Sequence, residues 1–147
     1  MIAALPHYEK TGNRMLIALA HNNIGHCAAE VGDSEHGRLS AARALEMLHE
    51  LGDRHGEATA LDTLARVEYR SGNHTAAITH YERAVELYRA ADDDYSTANT
   101  LMTLGHTHLA LGQHERAAAI WRRALDMLEQ QGRDEEAGRL RDRLDCV

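Results

Sequence analysis

The chain contains 11 histidines among 147 residues, and imidazole is the commonest protein ligand of metal ions. The closest pair, His106 and His108, would point about 200° apart, because each residue turns a helix by about 100°. No two histidines stand four apart, the spacing that brings two ring nitrogens to one metal ion. Cys27 and Cys146 match neither a metal nor a redox spacing. The sequence therefore predicts neither a metal site nor a cofactor.

Residue types used in covalent catalysis and phosphate binding also lack a suitable setting. Ser34 and Ser71 have no nucleophile-elbow context. Gly25, Gly32 and Gly37 do not follow the spacing of a phosphate-binding loop or of a dinucleotide fingerprint. We therefore expect a protein that is not an enzyme.

Two positively charged residues have a spacing suited to ligand binding. Arg66 and Arg70 stand four apart, so on a helix both guanidinium groups face the same side. Arginine forms paired hydrogen bonds to carboxylates and phosphates. We therefore expect these side chains to anchor an anionic group of a partner, provided that the surrounding elements hold them on an accessible face. The competing interpretation is an ordinary solvated helix face.

The elements around this pair repeat with a fixed period and without gaps. The stretch from Leu104 to Leu125 corresponds to Leu64–Val85 and to Ile24–Leu45. Each copy is typical of a helix, a two-residue turn and a second helix. Internal repeats of this length indicate a stacked array of helix pairs, in which each pair buries its apolar faces against its neighbours.

Each turn contains a glycine that can adopt the left-handed conformation that ends a helix. The next residue is expected to cap the second helix, a role that suits Asp33 and Asn73 and suits Gln113 less well. Other shared positions carry small residues, which allow two helices to approach closely. One further position carries a large aromatic residue, which is expected to fill the space between helix pairs. The glycines are Gly32, Gly72 and Gly112; the small residues are Gly25, Ala65, Gly105, Gly37, Ala77, Ala117, Ala44, Ala84 and Ala124; the aromatic residues are Tyr81 and Trp121.

This pattern resembles the tetratricopeptide repeat, whose signature places Leu-Gly, Gly, Ala, an aromatic residue and Ala at these offsets. In the first copy, Gly37 and Ala41 replace the usual alanine and aromatic residue. Where the family has an aromatic residue on the first helix, the chain has Ala28, Glu68 and His108. The 40-residue period is similar to that of kinesin light chains, receptor-coupled scaffold proteins and large actinobacterial transcriptional regulators. The resemblance implies an all-α fold, a right-handed α-solenoid of antiparallel helix pairs.

The repeat register predicts a single domain in which each repeat contains a first helix (A) and a second helix (B). The expected segments are 1–13, a remnant of a preceding repeat; 14–53, repeat 1; 54–93, repeat 2; 94–132, repeat 3; and 133–147, a C-terminal capping helix. The alternative for residues 1–13 is a natural N-terminal cap instead of the cut end of a longer array. Ala137, Leu140 and Leu144 form the single apolar stripe expected of a cap.

The side of the A helices that packing does not need is where we expect a partner. Opposite the core stripe lies a mixed surface of histidine, arginine, asparagine and a few apolar side chains. In tetratricopeptide repeats this side lines a concave groove that holds a peptide or a partner helix, and the resemblance implies the same here. The expected partner-binding residues are Asn22, Asn23, His26, Asp62, Arg66, Tyr69, Arg70, Asn99, Met102 and His106.

Composition restricts the partner and the compartment. The formal net charge of −7, with Lys10 as the sole lysine, argues against direct nucleic-acid binding. It also argues against the lysine-containing carboxylate clamp of the chaperone-binding members of the resembled family. No apolar run approaches the ~20 residues that cross a bilayer, and the N-terminus lacks a secretory signal. We expect a cytoplasmic protein that does not bind membranes.

The sequence-based hypothesis is a non-catalytic module that binds a protein or peptide, including an acidic segment, in the groove of the A helices. By resemblance alone, we expect it to belong to a larger bacterial transcriptional regulator in which a separate domain contacts DNA. The first alternative is self-association as a homodimer through the apolar flank of the first A helix. The second is a small-molecule-binding domain, which would need a deep enclosed pocket.

Overall fold

The computed structural model describes residues 13–147, so the expected remnant at 1–13 lies, except for Asn13, outside the described residues. Within 13–147 the chain forms seven α-helices joined by short turns. The A helices are α1 (Arg14–Glu30), α3 (Arg54–Arg70) and α5 (Asp94–Ala110); the B helices are α2 (Ser34–Glu50), α4 (His74–Ala90) and α6 (His114–Gln130); α7 (Asp134–Asp145) follows. The fold is an all-α solenoid of antiparallel helix pairs, as predicted.

The turns between helices use the left-handed backbone conformation that the glycines permit. Gly32, Gly72 and Gly112 have φ angles of 82°, 86° and 74°. In the turns that connect successive repeats, Gly52 has a φ of 71°, whereas Asp92 occupies the corresponding position with a φ of 56°. Asp92 is the only residue other than glycine with a positive φ among the described residues. The turn after repeat 2 is therefore built on a residue that prefers other conformations.

Aspartates cap α2, α3 and α5, whereas Asn73 stands at the predicted cap position of α4 without making the expected cap hydrogen bond. The carboxylates of Asp33 and Asp53 accept hydrogen bonds from backbone N–H groups in the first turns of α2 and α3. The Asn73 amide instead donates to Glu68 Oε2 at 2.7 Å and makes no cap hydrogen bond. A side chain committed to another helix is not free to satisfy the first turn of its own.

The two polar residues that replace the family's aromatic on the A helices have a common structural role. Glu68 is 5% exposed, and it accepts hydrogen bonds from Asn73 and, across the repeat boundary, from Arg38. His108 Nδ1 lies 2.6 Å from Gln113 Oε1. In both repeats the A-helix side chain is thus paired with the side chain at the cap position of the following B helix. At these positions a partly buried hydrogen bond takes the place of the family's aromatic side chain.

The core lies between the A and B helices and is dominated by alanine, leucine and three aromatic side chains. Trp121 and Tyr81 are 0% and 1% exposed, respectively. The Trp121 indole N–H donates to the carbonyl oxygen of Met102 on α5 at 3.0 Å. On α7, Ala137 and Leu140 are buried in the same cluster and Leu144 packs against it. The predicted apolar stripe of the last helix is confirmed.

Candidate functional site: the inner face of the A helices

The ten predicted binding residues lie on α1, α3 and α5, at positions that recur once in each repeat. Their accessibility differs widely. Asn23, His26 and Arg70 are exposed, whereas Asn22 is buried, with 8% of its surface accessible. The remaining residues are half-buried: Asp62, Arg66, Tyr69, Asn99, Met102 and His106. We call this surface the inner face.

The two arginines proposed as anionic anchors both lie beside a glutamate on the preceding A helix. Arg66 Nη1 is 3.8 Å from Glu30 Oε1, and Arg70 Nη2 is 3.4 Å from Glu30 Oε2. The three side chains are between 39% and 45% exposed, so this network adds little stability. The Glu30 carboxylate nevertheless occupies the place beside the two arginines where the anionic group of a ligand was expected. An acidic ligand would have to displace it or share the arginines with it.

Asp62 connects the three A helices at the centre of the inner face. Burial raises the pKa of its carboxyl group above the ordinary value of 3.8. Arg66, a hydrogen bond with Thr100 on α5, and His26 on α1 act in the opposite direction. Burial opposes ionisation because it removes the carboxylate from water. Asp62 is therefore a partly desolvated carboxyl group whose ionisation is favoured by groups on its own helix and on both neighbouring A helices.

Asn22 occupies the same register position one repeat earlier, but its side chain is not satisfied. Its Oδ1 atom is buried and has no hydrogen-bond partner. The residue of the next A helix that corresponds to Thr100 is Ala60, which has no hydroxyl group. Asn22 therefore lacks the nearby hydroxyl group that Thr100 places beside Asp62.

Two of the predicted binding residues are partly occupied by structural contacts. The Tyr69 ring lies 4.8 Å, centroid to centroid, from the ring of His74 at the start of α4. The Asn99 amide oxygen accepts a hydrogen bond from Arg133, whose guanidinium also stacks on Tyr95 at 4.0 Å. Both residues help to hold neighbouring helices in place, which reduces what they can offer to a partner.

His106 lies between the core and the last helix. Its ring makes an edge contact with Trp121 at 5.0 Å between centroids. On the other side, Arg143 Nη1 lies 3.2 Å from His106 Nε2. Burial lowers the pKa of His106 below 6.5, and the nearby Arg143 charge lowers it further. Both effects favour the neutral imidazole, which can accept a hydrogen bond from the guanidinium.

The contribution of α7 to the inner face was not predicted from the sequence, because this helix was interpreted only as a cap. Arg139 and Arg143 stand one repeat after Asn99 and Thr103, which line the inner face of α5. With Leu140, they line a small cavity against Met102 and His106. The signal was available in the repeat register, since α7 begins one full repeat after α5. The inner face therefore extends over four helices.

The described residues contain no group of three or more histidine, cysteine, aspartate or glutamate side chains that could hold a metal ion. Within 13–147, no helix is long and apolar enough to cross a membrane. The chemistry that the inner face offers is hydrogen bonding and ion pairing at an open surface.

The chain belongs to the tetratricopeptide repeat family. The family model matches residues 16–90 and again 57–130. Domains of this family are generally non-catalytic modules for protein–protein interaction. No curated protein matches the sequence.

Solved structures with the same fold have low sequence identity to this chain. The TPR domain of Arabidopsis FLU is 18% identical, with a TM-score of 0.74 over 80% of this chain and 98% of that one. A signal transduction ATPase with a tetratricopeptide repeat sensor, from Pyrococcus horikoshii, is 18% identical, with a TM-score of 0.80 over 89% of this chain but 20% of that one. BtubC from P. vanneervenii is 17% identical, with a TM-score of 0.71 over 90% and 63% of the two chains. These similarities establish the fold.

Proposed function

We propose that this chain is a non-catalytic module that binds a protein or peptide segment on the inner face, as the sensing part of a larger bacterial regulatory protein. The observation that carries this proposal is the contrast between the two sides of each A helix. One side packs Ile24, Leu64 and Leu104 into the core. The other side carries polar side chains, of which Asn23 and His26 on α1 and Arg70 on α3 are exposed.

The chemistry of the inner face suits an extended peptide. Asparagine and histidine side chains donate and accept hydrogen bonds, so they can pair with a peptide backbone in either direction. Met102 and the aromatic edge of Tyr69 provide apolar surface beside them. An open groove of this kind fits a macromolecular partner better than a small molecule, which favours an enclosed pocket.

The regulatory context is supported by the P. horikoshii protein, in which repeats of the same fold are the sensor of a signal transduction ATPase. A sensor of this kind would transmit partner binding to other domains of its chain. In the present chain we place the binding function on the inner face and any output function on domains outside it. A cytoplasmic location follows from this role and belongs to the same proposal.

The proposal can be tested by affinity capture with two charge-matched variants. The inner-face variant carries Asn23→Glu and His26→Glu, and the control carries Leu39→Glu and Ala119→Glu, exposed positions on the B helices α2 and α6. A phage-displayed library of random peptides is selected against the wild-type chain. Binders that are retained by the control and lost by the inner-face variant support the proposal. Equal binding to both variants would move the site off the inner face.

A further inference from the structure

A cavity of about 180 Å³ lies between α5 and α7, at the end of the inner face. Its walls are two apolar side chains, three charged ones and one imidazole: Met102, Leu140, Glu136, Arg139, Arg143 and His106. It is large enough for the end of one amino-acid side chain. We call it the α5–α7 pocket.

The α5–α7 pocket contains positive charge that the fold does not neutralise. Arg143 is exposed and forms no ion pair within residues 13–147; its polar partner there is the His106 ring. Arg139 pairs with Glu135 at 2.9 Å, but the two side chains are 64% and 87% exposed. Such an exposed pair is weak and can rearrange. Both guanidinium groups are therefore available to a ligand.

The acidic residue of the pocket is already engaged. Glu136 Oε1 and Oε2 accept hydrogen bonds from Arg133 at 3.0 and 2.7 Å. These hydrogen bonds lower the pKa of Glu136, as expected of a carboxylate held in its charged form. Its charge is compensated chiefly by Arg133, which is 10% exposed and is itself fixed by Asn99 and Tyr95, and to a smaller extent by the charge of Arg139. Glu136 does not compete for Arg143 in the way that Glu30 competes for Arg66 and Arg70.

We propose that the α5–α7 pocket is the anchor for an acidic side chain, glutamate or aspartate, of the peptide bound on the inner face. Arg143 and Arg139 would hold the carboxylate through charge-assisted hydrogen bonds. Met102 and Leu140 would contact the aliphatic part of the side chain. This inference rests on the proposed function and specifies its partner as a peptide with an acidic anchor. It moves the anionic anchor from α3 to α7.

The test uses a peptide selected from the random library against the wild-type chain. Its acidic residues are replaced one at a time by glutamine or asparagine, and affinities are measured by isothermal titration calorimetry. We expect one replacement to weaken binding about tenfold or more, the range for one charge-assisted hydrogen-bonded contact. Arg143→Gln should weaken the binding of the parent peptide by a similar factor. The replaced peptide should bind wild type and Arg143→Gln equally, because the contact is then already lost.

Arg141→Gln is the matched control, because it removes the same charge from the same helix outside the pocket, where Arg141 lies 3.7 Å from Glu129. This variant should bind the parent peptide like wild type. Circular dichroism and thermal unfolding confirm that Arg143→Gln is folded, and Arg139→Gln provides a second variant that does not touch His106.

Three outcomes separate the anchor from the proposed function. Affinity that depends on Arg143 and on one acidic peptide residue together supports the anchor. Peptides that lose affinity with the inner-face variant but bind Arg143→Gln and Arg139→Gln normally overturn the anchor and leave the proposed function standing. A selection that yields no binding peptide overturns both.

Discussion

Gly105 on α5 faces the indole ring of Trp121 on α6, with no space between them for a Cβ atom. A methyl group on Gly105 would overlap the five-membered part of the ring, which is fully buried and hydrogen-bonded to Met102. One repeat earlier, Ala65 and Tyr81 occupy the same two positions. The small residue and the aromatic residue are thus matched in size within each repeat.

This pairing predicts the result of a double-mutant cycle. Gly105→Ala should destabilise the chain by about 1–3 kcal/mol, the cost of overpacking, despite the better helix propensity of alanine. In the Trp121→Tyr background the same change should cost much less, because it recreates the pair in repeat 2. Urea unfolding of the four proteins gives the coupling energy. Strictly additive effects would show that the two residues do not constrain each other.

Asp92 should be replaceable by glycine with a gain in stability. Its φ of 56° is costly for a side-chain-bearing residue, and Gly52 and Gly132 occupy the corresponding positions of the other turns. Asp92→Gly should increase the free energy of unfolding by about 0.5 kcal/mol, since relief of strain outweighs the greater freedom of glycine when unfolded. Gly52→Ala should lower it by a similar or larger amount. Thermal unfolding of both variants measures the difference, and a destabilised Asp92→Gly would mean that the aspartate side chain stabilises the turn.

The buried, unpaired amide oxygen of Asn22 should lower the free energy of unfolding, and replacement of Asn22 by methionine should restore it. A buried carbonyl oxygen without a hydrogen-bond partner loses its hydration without compensation. The corresponding residue of repeat 3 is Met102, so we expect Asn22→Met to be accommodated and to stabilise the chain by about 1 kcal/mol. Chemical denaturation measures the effect. A loss of stability would indicate that the amide makes a favourable interaction in solution.

Two histidines should make the fold less stable in mild acid. Burial lowers the pKa of His106 and of His80 below 6.5; Arg143 adds to the effect at His106, and Glu68 opposes it at His80. A histidine whose pKa is lower in the folded chain binds fewer protons there than in the unfolded chain. The free energy of unfolding therefore rises with pH in this window. The contribution of these two neutral histidines to the free energy of unfolding is fully present above pH 6.5, and it is lost as the pH falls through their folded-state pKa values.

Denaturant unfolding between about pH 5 and pH 8 tests this dependence. The double variant His80→Gln/His106→Gln should have a shallower slope of stability against pH than wild type, whatever its absolute stability. The raised pKa of Asp62 acts in the opposite sense, since its stabilising contribution is largest below 3.8 and is lost as pH rises. Introducing Asp62→Asn into wild type and into the double histidine variant, and comparing their slopes again, removes the contribution of Asp62. Equal slopes would show that the two histidines do not cause the dependence.

The helices were predictable because the signals that define them, the turn glycines and the apolar periodicity, are local and recur in all three repeats. Gly32, Gly72 and Gly112 mark the turns between the A and B helices, and each has the left-handed backbone expected at the end of a helix. The failed cap at Asn73 has a different origin. Asparagine is a good cap in isolation, but Glu68 on the preceding helix takes its side chain. No local rule signals that competition.

The contacts on the inner face were predicted less completely than the helices. The register places Arg66 and Arg70 on the inner face, but it does not reveal that Glu30 from another helix lies against both. Conversely, Arg143 belongs to the helix that was predicted only as a cap, and tertiary packing brings it against His106. The repeat register predicts which positions share a face, and it does not predict which charges on that face neutralise one another.

By itself, the sequence determined the family, the helix pairs and the apolar stripe that buries them, because periodicity and turn-forming glycines act through the nearest residues in the chain. Only the tertiary structure decided which polar groups remain available. The buried Asn22 oxygen is left unpaired, Asp62 has the Thr100 hydroxyl nearby, and Arg143 has no ion-pair partner among the described residues, whereas Arg70 pairs with Glu30. Those outcomes depend on contacts between residues about one repeat apart in the chain, where a single change such as alanine for threonine removes a partner without altering the fold.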